Sequence, residues 1–141
     1  MDVVRRLYDA EPAERERVVH TLTAAFESEP DLEFAWLHGS FLSGGGFHDV
    51  DVGVHLTAAA DVRSRRVLDL GLRLDRDTGF PVDVRVLNDA PVTFLFHVFR
   101  GGRLLLCRSD ERLADLMERT VREYLDMEPL LRRATIEAYG A

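Results

Sequence analysis

With 141 residues, a net charge of −7, 46% apolar and 30% charged side chains, the chain has the make-up of one globular domain with a core of its own. Its 18 basic residues are all arginine, which leaves lysine out of any catalytic scheme, and the acidic balance excludes a protein built mainly to grip nucleic acid. Cys107 is the single cysteine, which excludes an internal disulfide or a cysteine-rich zinc site and fits a reduced, cytoplasmic setting.

Residues 1–11 read as a short polar lead-in with no apolar stretch of the secretory kind. From Pro12 to Ser28 the pattern is helical: Pro12 suits a first turn, and Val18, Leu22, Ala25 and Phe26 fall on one stripe. Glu29-Pro30 ends that helix, because the residue before proline is pushed out of the helical region. Leu32 to His38 reads as a first strand and Val50 to Leu56 as a second. Asp61 is expected to cap a helix over 62–77, with Val67, Leu68, Leu70, Leu72 and Leu74 as its apolar positions and Gly79 closing it.

Pro81 to Leu87 reads as a third strand, with Val82, Val84 and Val86 inward and Asp83 and Arg85 on the other face. Residues 91–100 fit either period; the preceding Asp89 and the stop at Gly101-Gly102 favour a helix. This run is also the greasiest in the chain, yet it is broken by His97 and is far shorter than the roughly 20 residues a bilayer requires. No membrane partner is expected. Arg103 to Cys107 reads as a short strand, and Ser109 or Asp110 as the cap of a long helix carrying Leu113, Leu116, Met117, Thr120, Val121 and Tyr124 on one face. Pro129 is expected to break or kink it, leaving a last segment near 130–139. An exposed portion near Tyr124, Met127, Leu130 and Leu131 either serves a partner or packs on the helix's own sheet. The result is a small α/β (α+β) domain, a mixed sheet of about four strands flanked by helices.

The chemistry centres on Trp36 to Leu56. A strand runs into Gly39-Ser40, a glycine-rich turn follows through Gly44, Gly45 and Gly46, and the chain re-enters a strand in which Asp49 and Asp51 alternate with Val50, Val52 and Val54. Alternation sends the valines to a core and both aspartates to the opposite face, about 7 Å apart at Cα. That spacing suits a shared hard cation, and the glycine turn lets backbone N–H groups approach a phosphate. Asp83 lies in a strand of the same valine alternation; if the two strands are neighbours, all three carboxylates gather on one side of the sheet. The plainer alternative is a set of solvated aspartates on an exposed sheet face.

Gly39-Ser40, a short loop, the alternating Asp49 and Asp51, and a third aspartate on a later strand together resemble the polymerase-beta-like nucleotidyltransferase superfamily. The size is similar to that of its smallest branch, the minimal nucleotidyltransferases (MNT), which act as antitoxins beside HEPN-type ribonuclease toxins. The resemblance covers roughly residues 12–126, including Tyr124-Leu125-Asp126, and implies one nucleotidyltransferase domain over 1–141 with a helical extension at 127–141. It implies that Gly39 and Ser40 hold the terminal phosphates of ATP, that Asp49 and Asp51 ligate Mg²⁺, and that Asp83 binds a second metal and orients or helps deprotonate the attacking hydroxyl. AMP would then pass to a hydroxyl, of tyrosine by preference, on a HEPN partner, with no direct contact to nucleic acid. The alternatives are transfer to a small molecule such as an aminoglycoside, or an inactive antitoxin that works by binding alone. Two features depart from the family: the turn of residues 41–48 is short, and Phe41, Leu42 and Ser43 stand where an arginine is common.

Other polar residues read ambiguously. His48 and His55 flank the aspartates, where zinc binding competes with ordinary partner-bonded histidines. His38 can set the turn before Gly39, and Arg85 can neutralise phosphate or pair with a carboxylate. Ser40 lacks the elbow motif of a covalent nucleophile.

Overall fold

The computed structural model describes residues 5–140. Helix α1 (Pro12–Glu27) leads into strand β1 (Leu32–His38), a single turn α2 (Ser40–Ser43) and strand β2 (Val50–Leu56). Then come α3 (Ala60–Thr78), β3 (Val82–Val86), α4 (Val92–Gly101), β4 (Arg103–Cys107) and α5 (Asp110–Tyr139). The strands form one mixed sheet in the order β3-β2-β1-β4, with β1 antiparallel to β2 and β4, and β2 parallel to β3. A parallel pair needs a crossover, and α3 supplies it. The α/β class expected from the alternating patterns is the class observed.

Two apolar cores follow from strand alternation. On one face Ala35, Leu37, Val50, Val52, Val54 and Leu56 pack with Val18, Leu22 and Phe26 of α1 and Leu70 and Leu74 of α3. On the other face Phe34, Trp36 and Leu87 pack with Leu95 and Val98 of α4 and Leu113 and Leu116 of α5. Asp51 and Asp83 share this second face, toward the β2–β3 side of the sheet.

Several local expectations are revised. The turn after Gly39 holds the helical turn α2, which sequence period could not reveal in four residues. Asp61 sits inside the first turn of α3, and Ala59 occupies the cap position without a side-chain bond. Gly79 does close that helix in the left-handed conformation, φ 83°. Leu68 and Leu72 face outward and line, with Gly71, Val82 and Val84, a groove of about 460 Å³ along the β3 edge. The run expected to be helical over 91–100 is the helix Val92–Gly101, with Pro91 as its cap and Gly102, the second glycine of the expected stop, just beyond its end. Ser109 caps α5, its hydroxyl accepting from the Arg112 N–H at 3.3 Å.

The long helix also passes through Pro129 without a break. Pro129 lies on the side of α5 opposite the stripe of Met127 and Leu131, where the carbonyl it leaves without a donor can take water instead. The lead-in is equally not free. Tyr8 forms a two-bond bridge with Phe47 (2.8 and 3.0 Å), and its ring meets Phe47 and Phe80.

Candidate active site

Asp51 and Asp83 are paired neighbours on the parallel strands β2 and β3, and Asp49 lies in the bend that enters β2. One carboxylate oxygen from each of Asp49, Asp51 and Asp83 lies within 4.8 Å of the others, the one such convergent group of three or more His, Cys, Asp or Glu among the described residues. The structure therefore brings the three sequence-selected acids together. Neither His48 nor His55 belongs to a comparable cluster.

Crowding shows in the electrostatics. The Asp51 carboxyl is pushed up to about 7, first by burial, then by the adjacent Asp49 and Asp83 charges and its hydrogen bond with Asp49, against a smaller opposing pull from Arg85. Two arginines offset part of the charge from outside: Arg5 meets Asp49 at 2.8 Å, and Arg85 meets Asp83 at 3.2 Å while lying over the Phe94 ring. Of the two roles open to Arg85, the carboxylate pairing is the one observed. Oxygen-only donors, convergent and partly buried, with three carboxylates against two arginines, fit a hard divalent cation such as Mg²⁺.

Gly39 sits against this cluster at φ 82°, a left-handed conformation that L side chains rarely adopt. A Cβ there would run into the Asp51 carboxylate. Glycine is thus demanded twice at this position, by conformation and by contact. Ser40, exposed, begins α2 immediately beyond it.

The loop over residues 41–47 is held by a residue that sequence reading passed over. Arg15 donates to the carbonyls of Ala10 (2.8 Å), Phe41 (2.7 Å) and Gly45 (2.7 Å), and its guanidinium covers the Phe41 and Phe47 rings. A lone arginine on a helix gives no sign of such a role; only the spatial return of the loop does.

His38, read from the sequence only as a residue that can set the turn before Gly39, lies against the cluster. It stands opposite Asp51 in the β1–β2 register, its Nε2 is buried without a hydrogen-bond partner, and its ring meets Phe94 edge-on at 5.5 Å. Burial and the Arg85 charge hold its pKa below the usual histidine value, against Asp83 and Asp49. With Gly39, Ser43, Phe94 and His97 it lines a cavity of about 310 Å³ beside the acids. Further along the same face, His55 stacks on Phe34 and lies 3.8 Å from the buried Glu33, which Arg112 meets at 3.3 Å. His48 turns away from the acids, its Nδ1 donating to the Arg6 carbonyl at 2.9 Å.

Comparison with known proteins adds the following. The family model described as Polymerase beta, Nucleotidyltransferase matches residues 20–111. No curated protein matches in sequence. Among solved structures, a tri-AMPylated HEPN toxin of Shewanella oneidensis in complex with MNT antitoxin aligns with TM-score 0.64 and 19% identity, over 92% of this chain and 98% of that one. A toxin–antitoxin structure with AMP-PNP aligns with TM-score 0.68 and 21% identity, over 89% and 98%. The toxin–antitoxin MntA–HepT aligns with TM-score 0.64 and 19% identity, over 93% and 100%. At these identities the likeness is one of fold.

Proposed function

The chain belongs to the polymerase-beta nucleotidyltransferase family, and from that premise we propose that it transfers AMP from ATP to a hydroxyl, by preference of tyrosine, on a HEPN-type toxin, acting as that toxin's antitoxin. One observation carries the reading: Asp49, Asp51 and Asp83 converge within 4.8 Å, with Gly39 packed onto Asp51. The solved relatives, an AMPylated HEPN toxin with its MNT antitoxin and a complex with an ATP analogue, support the choice of donor and acceptor.

Asp49 and Asp51 are the residues to hold Mg²⁺, with Asp83 completing the set. Bound there, the ion would supply charge neutralisation and polarisation of the phosphate oxygens. Gly39, without a side chain, lets the triphosphate approach the backbone, and Ser40 offers a hydroxyl at the start of α2. Arg5 and Arg85 bring guanidinium groups to the acids, supplying positive charge that Phe41, Leu42 and Ser43 cannot. In the transfer, the acceptor oxygen forms a bond to the α-phosphorus as the bond to the leaving oxygen breaks. Pyrophosphate departs with that electron pair, and the hydroxyl proton passes to the Asp83 carboxylate, which also orients the nucleophile.

The test is incubation of the chain with α-labelled ATP, Mg²⁺ and the HEPN partner. Label should move onto the partner and stop doing so in Asp49→Asn and Asp51→Asn. Toxin inhibition that survives both changes undiminished would show an antitoxin that works by binding alone. Asp83→Asn should reduce transfer more than ATP binding, which separates its role from that of the other two.

A further inference from the structure

Helix α5 runs for 30 residues, and its buried residues, Leu113, Leu116 and Thr120, all lie in its first half. Its apolar positions Leu113, Met117, Thr120, Tyr124, Met127, Leu131, Ala134 and Ala138 alternate by four and three residues, the 3.5-residue period of a helix–helix seam. The first half of this seam is used internally. Leu113 and Thr120 are buried, and Tyr124 stacks on Phe96 of α4 with ring centroids 3.7 Å apart. Past Tyr124 the same stripe continues without contributing a buried residue among those described: Met127 is 37% exposed and Leu131 40%, and Ala134 and Ala138 are exposed.

The flanks of the stripe decide what can cover it. The charged residues bordering the seam are Glu123, Glu128 and Glu137; from the outer faces of the helix Arg132 meets Glu128 at 2.6 Å and Arg119 lies 4.0 Å from Glu123, so a partner's cation competes with these pairs at two positions and finds Glu137 as the third acid. A second copy would bring glutamate against glutamate whether the helices ran parallel or antiparallel. Such like-charge pairing disfavours self-association. A helix whose own apolar stripe is bordered by arginine or lysine would meet complementary charge along its length. We propose that the α5 seam from Met127 to Ala138 docks such a basic-flanked helix of the partner protein. This rests on the reading that the acceptor is a protein, and it assigns to α5 the grip that holds that acceptor near the acid cluster.

The test uses the full chain with its HEPN partner, with affinity measured by titration calorimetry and AMP transfer measured separately. Leu131→Glu should weaken binding about 30-fold or more, as expected for a central apolar contact. Ile136→Glu, somewhat more exposed at 48% and off the seam, should stay within about threefold. Charge reversal, Glu128→Arg with Glu137→Arg, should weaken binding about tenfold at low salt and less at high salt. Unchanged helicity and melting temperature are the folding control, since none of these residues is among the buried ones of α5. Wild-type affinity in Leu131→Glu overturns the proposal, as does failure of the wild type to bind. Sedimentation showing that the chain alone dimerises, and that Leu131→Glu is monomeric, overturns it in favour of a second copy. Binding that is lost in Leu131→Glu but accompanied by no AMP transfer in the wild type would sustain the docking surface while refuting the catalytic reading.

Discussion

Replacing Arg15 probes how the glycine loop is kept beside the acids. The side chain is 12% exposed, and it donates to three backbone carbonyls contributed by the lead-in, α2 and the glycine turn. Each such bond contributes about 1 kcal/mol net, and a buried carbonyl left without its donor costs a similar amount, so Arg15→Ala should destabilise by about 3 kcal/mol. Arg15→Lys keeps the charge but loses the planar fork, and one ammonium cannot reach three diverging carbonyls; about 1–2 kcal/mol should still be lost. Urea unfolding at constant m-value measures both. Amide exchange locates the effect: the Phe47 N–H, which donates to Tyr8 at 3.0 Å, should lose protection about tenfold or more. If Arg15→Lys unfolds within about 0.5 kcal/mol of the wild type, the clamp is not what holds the loop.

Gly39→Ala should cost about 2–4 kcal/mol by thermal melting, part from positive φ and part from contact with Asp51. Adding Asp51→Ala should recover only the contact part; full recovery, or none, would contradict this division. Metal-free stability should fall as pH rises from about 4 to about 7, because Asp51 in the fold keeps a proton that the unfolded chain has already lost. Asp51→Asn should remove that slope and gain on the order of 1–2 kcal/mol at pH 8 after solvent screening, read as a higher melting temperature. Mg²⁺ should accordingly raise the melting temperature more at pH 8 than at pH 6, since the proton competes for the same carboxylate. Arg66→Ala should cost about 1–2 kcal/mol, because Arg66 holds Asp31 through two contacts at 2.7–2.8 Å and Glu29 at 2.7 Å. Asp31 is held below its usual range chiefly by the Arg66 hydrogen bond. Its contribution is therefore present above the unfolded-state pKa and lost as pH falls through the native value, so the mutant should lack part of the wild type's acid-unfolding step.

Much of the architecture was legible because it depends on local period. The valine alternation of β2 and β3, the stripe of α1, and Gly79 at a helix end are each decided by a few adjacent residues. The Asp51–Asp83 neighbourhood was legible only as a condition, since no local pattern says which strands pair; the parallel register supplies it. What escaped was set by distance along the chain. Arg5 reaches Asp49 across 44 positions and Arg15 reaches Gly45 across 30. Pro129 misled for a different reason. Its penalty depends on whether the orphaned carbonyl is buried or wet, and that is a property of the helix's surroundings rather than of its sequence.

The acid cluster makes sense only when its costs to the fold are set beside its neighbours. Asp49 and Asp83 each have an arginine within bonding reach, whereas Asp51 shares its hydrogen bond with another acid and has its pKa pushed up by burial and by those acids. Asparagine at position 51 would fit the same space, keep the hydrogen bond and end the repulsion, so packing and stability alone would be better served by it. Gly39 tells the same story from the backbone side: it holds a conformation that most residues avoid in order to bring the chain against that carboxylate. Two costs incurred at one point, in charge and in conformation, are what a site preorganised for an external ligand requires. Under the proposed function, a cation bound with a phosphate-bearing substrate would relieve the first cost, while the second is what lets the Gly39 backbone pack directly on the Asp51 carboxylate. The structure is therefore most strained where the proposed chemistry needs it ready.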